Sequence, residues 1–169
     1  MNIRNERNMD QTAIAAVQLA AFTGHPQHAP GVEPTEHRIV ERLRADGALA
    51  LSLVAEDDGV VIGHIALSPA DGGGPTGWYL LGPVGVLPER QRTGIGSALV
   101  REALERMRGM GAAGVVLVGD PAYYVHFGFG PALPLTYPGV LDRYVMALPF
   151  AKPIPVGEIK AHPAFHPAE

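Results

Sequence analysis

Between Leu80 and Val100 the chain reads Leu-Leu-Gly-Pro-Val-Gly-Val-Leu-Pro-Glu-Arg-Gln-Arg-Thr-Gly-Ile-Gly-Ser-Ala-Leu-Val. An apolar run stops at Pro88, a short basic and polar turn follows, and Gly94 and Gly96 open an amphipathic pattern. The first amides of a helix have no acceptor inside it, and the helix dipole makes that end positive. A strand feeding such a glycine-lined start is a seat for a phosphate group. Two common phosphate motifs are excluded. A P-loop needs a lysine directly after its second glycine, where Ser97 stands, and a dinucleotide fingerprint needs a third glycine where Leu99 stands. Upstream, Pro83 interrupts the apolar run from Trp78 to Leu87. Proline gives no amide to a ladder, so the run is expected to bulge or part from a neighbour, freeing amides near Val84 and Val86.

Composition narrows the function classes. The 169 residues are read as one domain, 1–169, with a core over 1–148 and a C-terminal extension over 149–169. A chain that is 47% hydrophobic and 18% charged is globular, and a net charge of −4 argues against nucleic acid or an anionic membrane as a general partner. Cysteine is absent, which removes disulfides, a thiolate nucleophile and cysteine-ligated zinc. The polar start, Met1 to Asp10, does not read as a signal peptide, and no apolar run has the length of a membrane span, so a cytoplasmic location is expected. His25 with His28, and His162 with His166, are the histidine pairs closest to metal spacing. Pro26 and Pro163 break both, and no metal is expected.

The elements that must position the seat follow in order. Ile3-Arg4 predicts a short strand, and Asp10 is read as the N-cap of a helix through about Phe22. Residues 23–34, rich in proline and glycine, read as a loop, and Thr35 as the cap of a helix from Glu36 to about Ala45. Ala48–Glu56 and Val60–Ser68 form a hairpin about an Asp-Gly turn, and Trp78–Leu87 reads as a central strand. A helix from Gly94 to about Met110 places Gly96, Leu99, Val100, Ala103, Met107 and Met110 on one stripe. The run Gly114–Val118 then lies parallel to the preceding strand, because a helix of that length is a crossover. Asp120-Pro121 caps a short helix carrying Tyr123 and Tyr124, with Tyr123 pointing away and structural. Tyr144–Leu148 is a last strand, and Ala161–Phe165 reads as an extended tail.

Gln91-x-x-Gly94-x-Gly96 after Val84-x-Val86, followed by helix, strand and Tyr124-x-x-x-Gly128-Phe129, resembles the GNAT (Gcn5-related N-acetyltransferase) superfamily. Gly119 to Phe129 is similar to its branch of small bacterial YhbS-like acetyltransferases. The resemblance implies an α/β (α+β) fold whose mixed, mostly antiparallel sheet is flanked by helices and splayed between strands 4 and 5. It implies acetyl-CoA as co-substrate and no metal. The pyrophosphate falls to Gln91, Arg92, Thr93, Gly94, Ile95, Gly96 and Ser97, and the pantetheine arm to Val84, Gly85 and Val86, an amide near Val86 polarising the thioester carbonyl. Tyr124 takes the place of the family tyrosine that bonds the CoA sulfur, as general acid or thiolate stabiliser. The implied reaction is direct transfer of acetyl to a primary amine.

A protonated alkylamine needs a base or a water chain at pH 7. Glu33, Glu36, His37, Glu41 and His64 are the candidates, and their spacing selects none. Asp120 stands where many relatives carry asparagine, and reads as a helix cap. A silent acyl-CoA-binding sensor is the alternative from another class, and a purely structural protein leaves the glycine turn unexplained. The acceptor, small molecule or protein, is not named. Residues 23–34 and 131–138 are expected to shape its pocket, and their low charge disfavours a highly charged acceptor. Homodimers are common for such folds, and nothing in the sequence sets the oligomeric state.

Overall fold

A computed structural model describes residues 1–24 and 31–166. In chain order its elements are β1 (Asn2–Asn5), α1 (Gln11–Phe22), α2 (Glu36–Ala45), β2 (Leu51–Asp57), β3 (Val60–Pro69), β4 (Trp78–Val86), α3 (Ile95–Gly109), β5 (Gly114–Val118), α4 (Pro121–Tyr124), β6 (Gly130–Pro131), β7 (Leu135–Thr136), β8 (Val145–Pro149) and β9 (Gly157–Glu158). Seven strands form one sheet in the order β1-β2-β3-β4-β5-β8-β6, and β7 pairs with β9 apart from it. Only β4 and β5 are parallel within the large sheet, joined by α3 as the crossover.

Side-chain alternation along β2 and β3 assigns the two faces. Leu53, Ala55, Ile65 and Leu67 pack under α3 with Leu99, Ala103 and Met107, while Val54 and Ala66 meet Ile14, Val17 and Val40 of α1 and α2. A third apolar cluster joins Trp78, Leu80 and Val116 to Tyr137, Val145 and Ile159. The β2–β3 hairpin closes at Asp57–Val60 over Asp58 and Gly59, both with positive φ (49° and 77°), the twist that a two-residue hairpin turn requires.

Some local expectations are corrected. Asp10 does not cap α1. Its carboxylate is taken by the Arg4 guanidinium (2.7 and 3.1 Å) and by the Arg7 amide (2.6 Å), a bidentate pair that outcompetes a single cap bond. Thr35 likewise gives no side-chain cap to α2. Met110 lies beyond the end of α3 and is exposed, so it leaves the buried stripe. The tail is not extended at its end: Pro163–Phe165 form a 3-10 turn, because the His162 Nδ1 accepts the Ala164 amide at 2.9 Å and Pro163 fits the first turn.

The feature that positions the site is where β4 leaves β5. Parallel pairing covers Trp78–Gly114, Tyr79–Val115 and Leu80–Val116, and stops there. Beyond it β4 stays on β3, with Gly82 and Pro83 together facing Ala66 in a bulge, and β5 stays on β8 as far as Val118–Val145. Both the bulge and the break expected from Pro83 are present. The pairing begins at Trp78, whose ring lies against Gly114. A Cβ on Gly114 would come within 2.5 Å of it. Gly114→Ala is expected to cost about 1–3 kcal/mol by overpacking, measured as a lower urea midpoint. An unchanged midpoint would show that the strand junction is looser than this contact implies.

Candidate active site

The gap between β4 and β5 is a cleft of about 950 Å³. Leu80, Leu81, Gly82, Pro83 and Val84 form one side, and Val118, Gly119, Asp120, Tyr123 and Tyr124 the other. Arg92 lies on the turn that follows β4, and Phe22, Glu36, Ile39, Tyr137 and Phe165 complete the wall. Leu87 gives its amide to Ile62 of β3 (2.9 Å). Antiparallel alternation then turns the Gly85 amide toward β3 and those of Val84 and Val86 toward the gap. The face of Gly85 is closed on the α1 side, where a Cβ would meet Gln18 Oε1 at 2.6 Å.

The turn before α3 is built for open amides. Arg92 (φ 64°) and Gly94 (φ 88°) are both left-handed, and a Cβ on Gly94 would meet nothing within 4 Å. The Ala98 amide takes the Gly94 carbonyl at 3.0 Å, so Ile95, Gly96 and Ser97 precede the helical ladder. Gln91 donates its side-chain amide to the Val86 carbonyl (3.0 Å), strapping the turn to the end of β4, and Thr93 Oγ1 donates to the Arg90 carbonyl (2.5 Å). Arg90 is held by Asp57 at 2.9 Å, and that guanidinium keeps the Asp57 carboxyl below its usual range. Arg92, by contrast, has no ion-pair partner among the described residues. It carries the cleft's positive charge.

Tyr124 lies against the backbone of Gly119, where a Cβ would come within 2.5 Å of its ring. Its ring also packs edge-on to Tyr123 and Phe129. Burial, with the neighbouring Tyr123 and Asp120, pushes the Tyr124 phenol up to about 12. The expectation that Tyr123 points elsewhere is overturned. Its hydroxyl lies 3.0 Å from Ser97 Oγ in the first turn of α3, and its side chain lines the cleft beside Tyr124. Asp120 accepts the Ala122 amide at 3.0 Å and caps α4.

Of the five base candidates, the cleft takes in Glu36 alone. Glu33 lies at the surface 3.9 Å from Arg38, and Glu41 is exposed. His37 is half-buried outside the lining, and His64 is inside the core. Sequence reasoning anticipated Tyr137 through its segment, but not Phe22, Ile39 or Phe165. Ile39 follows Glu36 by one helical turn, the spacing that puts both on one face. Nothing local marks Phe165, whose position depends on tail docking. Among the described residues no group of histidine and carboxylate side chains has the arrangement of a metal site; His25 and His28 lie outside them.

The acetyltransferase (GNAT) family model matches residues 15–129. This chain belongs to that family. Its fold matches a GNAT acetyltransferase from Brucella melitensis solved in complex with acetyl-CoA, with a TM-score of 0.83, 46% identity and 97% of each chain covered. Escherichia coli YhbS, solved with CoA, matches with a TM-score of 0.86 and 32% identity over 98% of this chain and 92% of that one. In sequence alone, the uncharacterised N-acetyltransferase YhbS of Escherichia coli (strain K12) is 40% identical over 115 residues, 62% of this chain and 69% of YhbS. The chain therefore has the GNAT acyl-CoA N-acyltransferase fold, and the β4–β5 gap lies within it.

In this GNAT chain His64 is a structural member of a buried network. The Gln18 amide nitrogen donates to His64 Nδ1 (2.8 Å) and also lies 3.4 Å from the Pro83 carbonyl. Nδ1 is thus an acceptor, and Nε2–H donates to Ser52 Oγ (2.7 Å), whose hydroxyl turns to Glu6. Arg44 closes the chain on Glu6 at 2.8 and 3.0 Å. Burial opposes ionisation of Glu6, but the bonds from Arg44 and Ser52 outweigh it and hold the carboxyl below its usual range. Burial pushes His64 down to about 4, against the pull of Glu6 and with that of Arg44. Unfolded, the imidazole titrates near ~6.5. Between that value and about 4 the unfolded chain takes up a proton that the folded one refuses. Stability is therefore full above the upper value and falls with pH, by about 2 kcal/mol at pH 5. Urea midpoints measured from pH 7 to 5 should show this slope, and His64→Asn should remove it. A flat wild-type profile over that range would refute it.

Proposed function

We propose that this chain transfers an acetyl group from acetyl-CoA to a primary amine by direct attack. The observation that carries the reading is one continuous cleft. It joins Arg92 of the turn before α3, a freed edge of β4 and a buried tyrosine. The residues fit the donor. Open amides from Ile95 to Ser97 and the Arg92 guanidinium suit a pyrophosphate, with Gly94 leaving the approach clear. The Ser97–Tyr123 hydroxyl pair stands at the same end. Amides of Val84 and Val86 on the open edge suit an extended amide-bearing arm, by the same bonding that adds a strand to a sheet. When bound, acetyl-CoA supplies an activated thioester.

Within that frame Tyr124 acts as a hydrogen-bond donor to sulfur. A phenol pushed up to about 12 is protonated throughout the neutral range. Full transfer of its proton to a thiolate near ~8.5 would be uphill by roughly 5 kcal/mol. Donation without transfer stabilises the departing charge and carries no such penalty. Glu36 is the group that takes the amine's proton, directly or through water, because it alone of the candidates lines the cleft. A carboxylate in the lining also weakens the alternative of a silent acyl-CoA sensor.

Calorimetry should show acetyl-CoA binding, and no heat at millimolar ligand would refute the donor assignment. Tyr124→Phe should lower kcat by about 10–100-fold, the effect of one charge-assisted hydrogen bond. The Kd for acetyl-CoA should stay within about twofold, because the thiolate exists only as the bond breaks. An unaltered rate would take Tyr124 out of the chemistry.

A further inference from the structure

We propose that Gln18 is a positioning residue for the transfer: through the Pro83 carbonyl it aims the Val84 amide at the acetyl carbonyl of bound acetyl-CoA. The proposal rests on the acetyl-transfer reading above and deepens it.

Gln18 lies on the inner face of α1 with Ile14 and Val17, fully buried, and α1 packs on β3 and β4. A leucine or methionine would fill such a place without burying polar atoms. A buried amide needs partners for two N–H donors and one acceptor. Both donors are used: Nε2 lies 2.8 Å from His64 Nδ1 and 3.4 Å from the Pro83 carbonyl. Oε1 has no hydrogen-bond partner among the described residues. An unpaired buried acceptor is destabilising, so packing alone does not account for this side chain, and what its two N–H groups hold does. Gly85 leaves the space it needs, because a Cβ there would stand 2.6 Å from Oε1.

The Pro83 carbonyl decides how this amide sits. With nitrogen and oxygen exchanged, two oxygens would face each other across that contact, so the carbonyl selects the orientation that turns Nε2 toward it. His64 then accepts at Nδ1 and donates from Nε2–H to Ser52, whose hydroxyl turns to the Arg44-bound Glu6. The ring is held at both nitrogens and fixes Gln18 in turn.

What Gln18 holds is one peptide plane. Ile65 faces Val84 and Leu67 faces Leu81, so Gly82 and Pro83 share Ala66 across the bulge. A bulge disrupts the ladder locally, and regular pairing no longer sets the plane of the Pro83–Val84 peptide. In a planar trans peptide the carbonyl and the N–H point in opposite directions. A donor on the Pro83 oxygen therefore turns the Val84 N–H away from Gln18 and into the gap. Val84 and Tyr124 line opposite sides of the cleft there. Donation to the carbonyl also polarises the peptide and strengthens its N–H as a donor. A dipole fixed in this way stabilises the charge that develops on a thioester oxygen.

The test uses the full chain and needs no acceptor. Calorimetry with acetyl-CoA comes first. By NMR of the wild type, the Val84 amide proton should move further downfield with acetyl-CoA than with CoA, which lacks the carbonyl. With acetyl-CoA carrying carbon-13 at its carbonyl, the bound resonance should lie downfield of the free one. Gln18→Met, which keeps length and apolar packing, should lose most of that shift. Its Kd for acetyl-CoA should stay within about fivefold of the wild type, since one neutral hydrogen bond is weakened. Gly85→Ala, which pushes the Gln18 amide aside without removing it, should act in the same direction. Val17→Ala, a neighbour on the same buried face, should lower the urea midpoint and leave the carbonyl resonance in place, which a merely structural role of Gln18 would not separate. With acetyl-CoA bound, the proposal is overturned by a Val84 amide that does not distinguish acetyl-CoA from CoA. It is equally overturned by a carbonyl resonance moved as much by Val17→Ala, or unchanged in Gln18→Met (in Gly85→Ala, where Gln18→Met does not fold). Absence of acetyl-CoA binding overturns the transfer reading beneath it.

Discussion

Leu80 and Val116 are the last residues across which β4 and β5 are paired, and the rest of the site depends on that parting. A gap in a sheet is unstable if it leaves two loose strands, because each exposes unpaired backbone groups. Here neither is loose. Beyond Pro83, β4 remains on β3 through Val86, and β5 remains on β8 to Val118. The gap is held open by ladders on its outer sides, which leaves its inner edges free to bind. Gln91 adds a strap by donating to the Val86 carbonyl, which ties the turn before α3 to the end of β4.

One force, desolvation, tunes two titratable groups in opposite senses. It pushes Tyr124 up, so the phenol stays a donor in the cleft, and it pushes His64 down, so the imidazole stays neutral in the core. The neutral His64 is usable only because one ring nitrogen can accept from Gln18 while the other donates to Ser52. A charged imidazole would present two donors and break the bond to Gln18, whose amide also lies beside the Pro83 carbonyl. The network reaches from the salt-bridged Glu6 to the bulge that opens the cleft. It links the sheet's far side to the site without entering the chemistry.

What could be read from the sequence was local. The Gly94–Gly96 start, the Asp-Gly hairpin, the Asp120-Pro121 cap and the break at Pro83 are each decided within a few residues, by backbone limits that no distant contact overrides. What could not be read was decided by partners far along the chain. Gln18 and His64 are 46 residues apart, and nothing near either names the other. Asp10 has the form of a cap, but Arg4 and the Arg7 amide outbid that role. Tyr123 and Tyr124 are adjacent, yet both line the cleft, where the Tyr123 hydroxyl reaches Ser97 in the first turn of α3. Glu36 was one of five equal candidates in the sequence, and of the five it is the one that lines the cleft.

The two sides of the cleft are anchored in different parts of the molecule. One side is made of β4, the start of α3 and the end of β5, anchored in the main core. The far wall is completed by a tail attached through a two-residue parallel pair, a bridge between Asp71 and Lys160, the His162–Asp46 and Tyr137–His166 contacts and the buried side chains of Ile159 and Ala164. Among the described residues no hydrogen bond of the turn before α3 passes through the tail. The glycine turn is therefore decided within a few residues of β4 and α3, whereas Phe165 reaches the cleft by docking a segment from far along the chain, which is why the first was legible in the sequence and the second was not.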